Sequence, residues 1–383
     1  MMLFLALLAG TLLAFLFVFY ILFLVYAGRI LQQVQDPMPS RQLLFVSIIV
    51  AVHNAEQDVR NCLDHLLNQE YPPDLYEVIM VADRCRDATE QIINTYLPLN
   101  PRLKLISIHE TKTGFAPKKL AIDTAVAQAG GEIILLTDVD GRPGPRWVKS
   151  MASVFQSSTG MVLGYAPYIT DKPYHTFIYR LLALEYLSHA AVAAITTIWG
   201  YPLTCVGTNL AYRKCVYKEL NGFGKYRSYL SGDDDLFLQR VREESKWSIA
   251  YAHSRDAQVL NAPPRSFSQF YQQRLRYASK GFIYPFQVTI YLICFYLLNL
   301  LLLLSTFSLF WMPKFIFALG IIWIIKIIAE SHFIRQAARY LMDTRYVKLL
   351  PLVSLLHVPY VVYFGLISQL QQYKWGDLEG KVN

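Results

Sequence analysis

The sequence predicts an α/β fold with a mostly parallel sheet, set between long hydrophobic helices at both ends of the chain. Three observations support this fold class. Short apolar runs alternate with helical patterns between residues 44 and 137, as expected for strands joined by right-handed helical crossovers. Two long segments, residues 1–28 and 281–313, carry no charge. Only 17% of the 383 residues are charged, whereas roughly 25% is usual for a soluble chain, so part of the protein must avoid water.

The first 28 residues are long enough to cross a bilayer as a helix, which takes about 20 apolar residues. They lack the basic start and the small-residue cleavage site of a secretory signal, so we predict a transmembrane anchor at residues 1–28. Arg29 follows directly, and basic flanks favour the cytoplasmic side. We therefore expect an integral protein, in a bacterial inner membrane, whose residues 29–280 form a cytoplasmic domain.

Residues 281–383 predict a C-terminal membrane region of about three helices. The candidates are 281–313, 315–334 and 349–372, and with the anchor they give four spans and place both termini outside. The middle candidate contains Lys326 and Glu330, which are four residues apart and share one helix face. Charges inside a span are usually paired or face protein, so we expect an internal ion pair here rather than a transport site.

The net charge of +8 does not indicate a nucleic-acid partner. Many basic residues lie beside the apolar segments, where they set topology and attract anionic membrane lipids, and they build no groove with interleaved aromatics. Five cysteines without a C-x-x-C pair predict neither a zinc site nor a disulfide framework.

The elements of the central domain follow from hydrophobic patterning. The apolar run at residues 44–52 is typical of a strand buried on both faces. Strands and helices then alternate, and ligands of such sheets bind outside the carboxyl ends of the strands. The further predicted elements are a helix ending at 67, strand 76–81, helix 87–97, strand 103–108, helix 117–129 and strand 132–137.

Acidic residues follow two of these strands. Asp83 comes after the second strand, and Asp138 and Asp140 come after the fourth. In an extended segment, alternate side chains point the same way, so the two carboxylates of Asp138 and Asp140 can face one ion. Oxygen ligands suit Mg²⁺ or Mn²⁺, which commonly bridge carboxylates to substrate phosphates. A simple turn or a helix cap is the alternative for this short motif.

A third acidic group, Asp233, Asp234 and Asp235, precedes a helical pattern. One aspartate suffices to cap a helix, whereas three adjacent carboxylates repel one another and raise at least one pKa, which suits a proton acceptor. Both interpretations stay open at this point. The chain has neither a Gly-x-Gly-x-x-Gly segment nor a P-loop, so a dinucleotide or P-loop site is disfavoured.

Taken in order, these segments resemble the family 2 glycosyltransferases with a GT-A fold, in the membrane-bound branch that includes ceramide glucosyltransferase-like enzymes and cellulose and hyaluronan synthases. The resemblance covers about residues 46–281 and begins with VSIIVAVHNAE. VIMVADRCRDAT is similar to the family segment that contacts the uracil of a UDP-sugar, which implies this role for Asp83. PKKLAID resembles the segment with a lysine near the nucleotide, which implies that role for Lys118.

The later segments extend the resemblance. LLTDVDGRPGPRWV is similar to the family's metal-binding D-x-D, which implies Asp138 and Asp140 as metal ligands, with Asp138 also at the nucleotide-sugar. CVGTNLAYRK resembles the segment on the acceptor side. SGDDDLFLQR resembles the acidic motif with the catalytic base, and its register fits Asp233 or Asp235, the latter preceded by Asp234. QRLRY is similar to the motif that holds the diphosphate and the acceptor end; the residues implied are Gln273, Arg276 and Tyr277.

The resemblance implies a metal-dependent, inverting transfer of a sugar from a UDP-sugar donor to a lipid-linked or glycan acceptor at the membrane. The long apolar stretch at residues 177–203 could admit a lipid-borne acceptor, or it could be a core helix on the sheet. Two alternatives remain: a processive polysaccharide synthase, and a non-catalytic membrane scaffold that has kept the fold. The scaffold would not need the aspartates at 138, 140 and 233–235.

Overall fold

The computed structural model describes residues 2–34, 40, 42–169, 176–375 and 378–380, and its chain divides into two compact units. The first, here called the helical unit, comprises Met1–Val34, His175–Ser188 and Pro264–Asn383. The second, the sheet unit, comprises Gln35–Tyr174 and His189–Pro263.

The sheet unit contains nine strands and seven α-helices among its described residues, one α-helix being shared with the helical unit. The strands are β1 (Val46–Val52), β2 (Tyr76–Asp83), β3 (Leu103–Ile108), β4 (Ile133–Leu136), β5 (Arg142–Pro143), β6 (Thr159–Gly164), β7 (Leu210–Arg213), β8 (Ser248–Ala252) and β9 (Val259–Leu260). The helices are α2 (Val59–Leu67), α3 (Thr89–Tyr96), α4 (Pro117–Gln128), α5 (Trp147–Ala152), α6 (Phe177–Ile198), α7 (Lys214–Glu219) and α8 (Asp235–Glu244).

Seven strands form one sheet in the order β3-β2-β1-β4-β7-β6-β8. Strands β1 to β4 run parallel, β7 pairs antiparallel with β4 and β6, and β8 is parallel to β6. The last residue of β4, Leu136, lies opposite the first residue of β7, Leu210. The beginning of β7 is therefore at the same sheet edge as the carboxyl ends of β1, β2 and β4.

The central strands are buried on both faces, as the apolar patterns predict. All eight residues of β2 are buried, and β1 is buried at every position but Ala51. On one face, the side chains of β1 and β2 pack with α2, whose Leu63 and Leu66 are fully buried. Helix α4 contributes Ala121, Ile122 and Ala125 to the buried core and packs along β1 and β2. The prediction of a mostly parallel, doubly covered sheet is confirmed.

The helical unit contains the remaining long helices. They are α1 (Met2–Gln33), α9 (Phe267–Ala278), α10 (Phe286–Ser308), α11 (Ile316–Tyr340) and α12 (Leu350–Leu370), followed by a hairpin of β10 (Tyr373–Trp375) and β11 (Leu378–Gly380). Within the described chain, five helical segments are long and apolar enough to cross a membrane: those of α1, α6, α10, α11 and α12. More of α6 is buried, 56% of its apolar window against 17–22% for the others.

An internal ion pair joins three long apolar helices of the helical unit. The ammonium of Lys326 lies 2.7 Å from Glu330, and the same carboxylate accepts hydrogen bonds from the hydroxyls of Tyr20 and Ser354. Lys326 is 1% exposed and also donates to the Ser354 carbonyl. These contacts connect α1, α11 and α12. The expected pairing of the two charges is confirmed, and the membrane span around them stays a prediction.

A second buried ion pair connects α6 to α9. Arg274, which is 1% exposed, donates to Glu185 at 2.6 Å, and Tyr360 of α12 donates to the other oxygen of that carboxylate at 3.2 Å. Because a buried charge is stable only when it is paired, this contact helps to fix the three helices.

Candidate active site

Lys118 joins two acidic segments that lie far apart in the sequence. Its Nζ atom is 2.8 Å from Oδ1 of Asp138 and 2.9 Å from Oδ2 of Asp233. Burial alone would lower the pKa of Lys118, but the two carboxylates raise it above its ordinary value. The lysine is therefore a fixed positive charge between the predicted metal-binding segment and the predicted catalytic segment.

The topology explains why these three residues meet. Asp138 follows β4 at the carboxyl edge of the sheet, and Lys118 lies in the first turn of α4, which begins at Pro117. Proline suits this position because its fixed φ angle matches the helix and its missing N–H would have no partner there. Asp233 lies in the turn that leads into α8.

Asp138 has a donor on each carboxylate oxygen. Lys118 binds Oδ1, and the hydroxyl of Thr208 donates to Oδ2 at 2.5 Å. Burial would raise the pKa of Asp138, but the lysine and the threonine together hold it below its ordinary value. Thr208 was missed by the sequence reasoning, because a threonine has no chemical signature. Its neighbourhood was indicated only by the resemblance of CVGTNLAYRK to an acceptor-side segment.

The residue after Thr208, Asn209, anchors this part of the chain through its buried side-chain amide. Asn209 accepts a hydrogen bond from the Trp147 indole at 3.0 Å and donates to the carbonyls of Tyr165 and Ala257 at 2.8 and 2.7 Å. Asn209 is fully buried. The asparagine and the tryptophan thus support the site without forming its surface.

Asp140 lies two residues after Asp138, in a turn rather than in an extended strand. Strand β4 ends at Leu136, and the amide of Gly141 donates to the Asp138 carbonyl at 3.0 Å. The expected alternation of side chains along a strand is therefore wrong here, because the chain turns at once toward β5. The two carboxylates still interact: burial and the charge of Asp138 raise the pKa of Asp140 to about 7.

The donor set fits a hard divalent cation. Asp138 and Asp140 are two partly buried, interacting carboxylates, and a positive ion would relieve their mutual repulsion. They offer the oxygen ligands that Mg²⁺ and Mn²⁺ prefer. Across the described residues, no group of three or more His, Cys, Asp or Glu side chains is arranged to hold a metal. A cation bound to Asp138 and Asp140 would need further oxygen ligands from phosphate or water, as is usual for magnesium.

The three adjacent aspartates have different surroundings. Asp234 caps α8: its Oδ1 accepts from the Asp235 amide at 2.7 Å, and its Oδ2 accepts from the Gly207 amide at 2.9 Å. Asp235 is the first residue of α8 and is 4% exposed. Asp233 pairs with Lys118. The capping interpretation therefore applies to Asp234, and Asp233 is the aspartate that Lys118 links to Asp138.

Asp83 ends β2 at the same edge of the sheet, as expected. Both of its oxygens accept hydrogen bonds from Arg84, at 2.8 Å each, and Arg84 adopts a left-handed backbone conformation with φ of 50°. The Asp83 carbonyl lies 2.6 Å from Nδ1 of His53. Since a carbonyl only accepts, this nitrogen carries the proton.

The remaining predicted residues, Gln273, Arg276 and Tyr277, lie on α9 in the helical unit. The Arg276 guanidinium is 5.3 Å from the centre of the Tyr277 ring. Between them, Arg274 makes the buried ion pair with Glu185. The roles of Gln273, Arg276 and Tyr277 at the diphosphate stay predictions.

Parts of this chain are similar in sequence to known proteins. The model of glycosyl transferase family 2 matches residues 47–220. Glycosyltransferase AglE of Haloferax volcanii is 29% identical over 242 residues, 61% of this chain and 72% of that protein. The beta-monoglucosyldiacylglycerol synthase of Nostoc is 29% identical over 125 residues, 33% of this chain and 25% of that protein.

The fold also matches a solved structure. It is a mannosyltransferase from Pyrobaculum calidifontis in complex with GDP-Man and Mn²⁺, with a TM-score of 0.59 and 17% identity, covering 88% of this chain and 98% of that one. At this identity the match speaks for the fold alone. Residues 47–220 therefore match a family 2 glycosyltransferase domain, which the sequence relatives support, and the fold is of the GT-A type.

Proposed function

We propose that this enzyme transfers a sugar from a UDP-sugar to a lipid-linked or other membrane-associated acceptor, in one displacement that inverts the anomeric carbon. The observation that carries the proposal is the bridge of Lys118 between Asp138 and Asp233. Through this bridge, the ammonium of Lys118 contacts both Asp138, which is predicted to hold the metal, and Asp233, which is one of the predicted bases.

At the donor end, Asp138 and Asp140 would hold a divalent cation. When bound, Mg²⁺ or Mn²⁺ supplies Lewis-acid neutralisation of the diphosphate leaving group. The fold neighbour from Pyrobaculum, which holds Mn²⁺ with GDP-Man, supports this assignment. Lys118 adds a preorganised positive charge beside Asp138. Thr208 keeps the Asp138 carboxylate in its orientation.

At the acceptor end, we assign the general base to Asp233. Both oxygens of Asp234 already accept backbone hydrogen bonds, so this residue is committed to the structure of the loop. Asp233 takes the proton from the acceptor hydroxyl as the oxygen attacks the anomeric carbon. Lys118, whose ammonium lies 2.9 Å from Oδ2 of Asp233, orients this carboxylate.

For the nucleotide, we propose that Asp83 accepts a hydrogen bond from the uracil. Its pairing with Arg84 does not prevent this, because an ionised carboxylate has about four lone-pair sites and Arg84 uses two of them. This assignment favours UDP-sugars over GDP-sugars.

The acceptor is assigned to the membrane on different grounds. Four helices in the helical unit are long and apolar enough for a bilayer, and a related protein from Nostoc is by its name a glycolipid synthase. We propose that the helical unit anchors the enzyme in a bacterial inner membrane, that residues 29–280 are cytoplasmic, and that a lipid-borne acceptor enters from the bilayer.

The test is release of nucleotide by the detergent-purified enzyme, with added membrane lipids, from a panel of UDP-sugars and GDP-mannose. Mn²⁺, Mg²⁺ and a chelator are compared, with Asp140→Ala as the inactive variant and Asp74→Ala, at an exposed aspartate, as the matched control. We expect metal-dependent turnover of a UDP-sugar that only Asp140→Ala abolishes, with the sugar label in the lipid extract.

Three outcomes contradict parts of this proposal. Label in a polymer would indicate a processive synthase, and turnover of GDP-mannose alone would overturn the assignment of Asp83. No metal-dependent turnover with any donor would favour a scaffold that has kept the fold.

A further inference from the structure

Next to Lys118, the chain carries a second lysine that faces away from the site and is fully buried. The ammonium of Lys119 donates to three backbone carbonyls: those of Tyr226 at 2.7 Å, Tyr229 at 2.8 Å and Ser231 at 2.8 Å. An ammonium has three protons, and each of these carbonyls can accept one of them. The side chains of neighbouring helix residues point about 100° apart, which explains why Lys118 and Lys119 contact different groups.

The three carbonyls belong to the loop that leads into the proposed catalytic segment, Asp233–Asp235. Residues 226–231 end two residues before Asp233. Gly232 between them has a φ of 85°, a conformation that ordinary side chains rarely adopt, so the chain changes direction there. The loop is thus irregular, and its carbonyls depend on partners outside regular secondary structure.

The start of α4 holds this loop by its backbone as well. The amide of Ala116 donates to the Arg227 carbonyl at 2.8 Å. Through Lys118 the same helix turn binds Asp138 and Asp233. One turn of helix therefore fixes the loop, the base and the metal-binding carboxylate relative to one another.

We propose that Lys119 is a positioning residue for catalysis. Its ammonium binds three carbonyls of the loop before Asp233 and thereby fixes the distance between Asp233 and Asp138. The inference rests on the proposed function, because it takes Asp233 as the base. In this proposal Lys119 acts through the loop carbonyls that its ammonium binds and not through contact with donor or acceptor.

This role predicts a specific kinetic signature. Without the ammonium, residues 226–231 lose three hydrogen bonds and Asp233 shifts, whereas Asp83, Asp138 and Asp140 lie on other segments. Donor binding should therefore persist while the chemical step slows. A misplacement of the order of 1 Å costs about 100-fold in rate, so we expect kcat to fall by about 10- to 100-fold.

The test compares Lys119→Met in the full-length enzyme with Lys104→Met, whose half-exposed side chain on the edge strand β3 pairs with Glu77 of β2. We expect Lys119→Met to lower kcat while the KM for the donor and the Kd for UDP with Mn²⁺ stay within about twofold. Amide hydrogen exchange of residues 226–235 should accelerate in this variant alone. Unchanged kcat would overturn the proposal. A parallel loss of kcat, UDP affinity and Tm would overturn it too, since that pattern indicates a merely structural lysine.

A second variant covers the case in which Lys119→Met does not fold. Lys119→Ala removes the three terminal methylene groups and the ammonium, and propylammonium has the size and charge to replace them. We expect saturable recovery of kcat with propylammonium and none with 1-propanol. Recovery with both, or with neither, would overturn the proposal. Failure of the proposed function is separate: it appears as lack of turnover by the wild-type enzyme, while hydrogen exchange still tests the lysine.

Discussion

Adjacent residues can differ in role: Asp234 caps a helix, whereas Asp233 pairs with Lys118 and is the proposed base. Asp234→Ala removes a helix cap and the acceptor of the Gly207 amide, so we expect it to lower the free energy of unfolding by about 1–2 kcal/mol. Asp233→Asn keeps the shape but removes the base, so we expect kcat to fall by roughly 10²- to 10⁴-fold. Thermal unfolding and nucleotide release measured on both variants check this. A larger loss of kcat in Asp234→Ala would show that the base has been assigned to the wrong aspartate.

Thr208 gives a second prediction at this scale. Thr208→Val keeps the volume but removes the hydrogen bond to Asp138, which orients a predicted metal ligand. Loss of such a supporting contact typically costs 10- to 100-fold in metal affinity, so we expect Mn²⁺ to bind roughly tenfold more weakly. Calorimetric titration with Mn²⁺ measures this. Thr208→Ser retains the hydroxyl and should bind like the wild type; equal weakening in both variants would refute the role of the hydrogen bond.

At the scale of secondary-structure elements, the ion pair of Lys326 and Glu330 should stabilise the helical unit only as a pair. Lys326→Met leaves a buried carboxylate without its ammonium, and breaking a buried pair costs about 3–5 kcal/mol. Lys326→Met combined with Glu330→Leu removes both charges, so it should recover much of that loss, although Tyr20 and Ser354 lose their acceptor. We expect the Tm in detergent to be highest for the wild type, lower for the double variant and lowest for the single variant. A double variant below the single one would show that Glu330 stabilises mainly through the two hydroxyls.

At the scale of the whole molecule, the sequence predicted what local patterns determine. The elements β1 to β4 and α2 to α4 were recognised because burial on both faces and helical periodicity leave signals within a few residues. The bond of Thr208 to Asp138 spans 70 residues and that of Lys119 to Ser231 spans 112, and no local pattern encodes such contacts. The turn at Asp140, which the sequence offered only as the alternative to an extended segment, depends on a related contact, since β5 pairs with β9 directly after it.

The topology of the sheet decides how often the chain can cross the membrane. Helix α6 is long and apolar enough to span, but β6 precedes it and β8 follows it, and these strands pair in one sheet. Since both strands must lie on one side, α6 does not cross. The candidates that remain by length and composition are α1, α10, α11 and α12, and the four spans expected from the sequence stay a prediction.

This leads to a prediction about sidedness. Cys215, an exposed residue of the sheet unit, should react with a membrane-impermeant maleimide in inverted vesicles and not in intact cells. A cysteine at exposed Met312, in the α10–α11 loop, should react in intact cells, because one span separates it from the cytoplasmic side. Cys215→Ser is the background control for the Met312→Cys protein. Labelling of both sites from the same side would contradict the four-span topology and with it the cytoplasmic assignment of the catalytic residues.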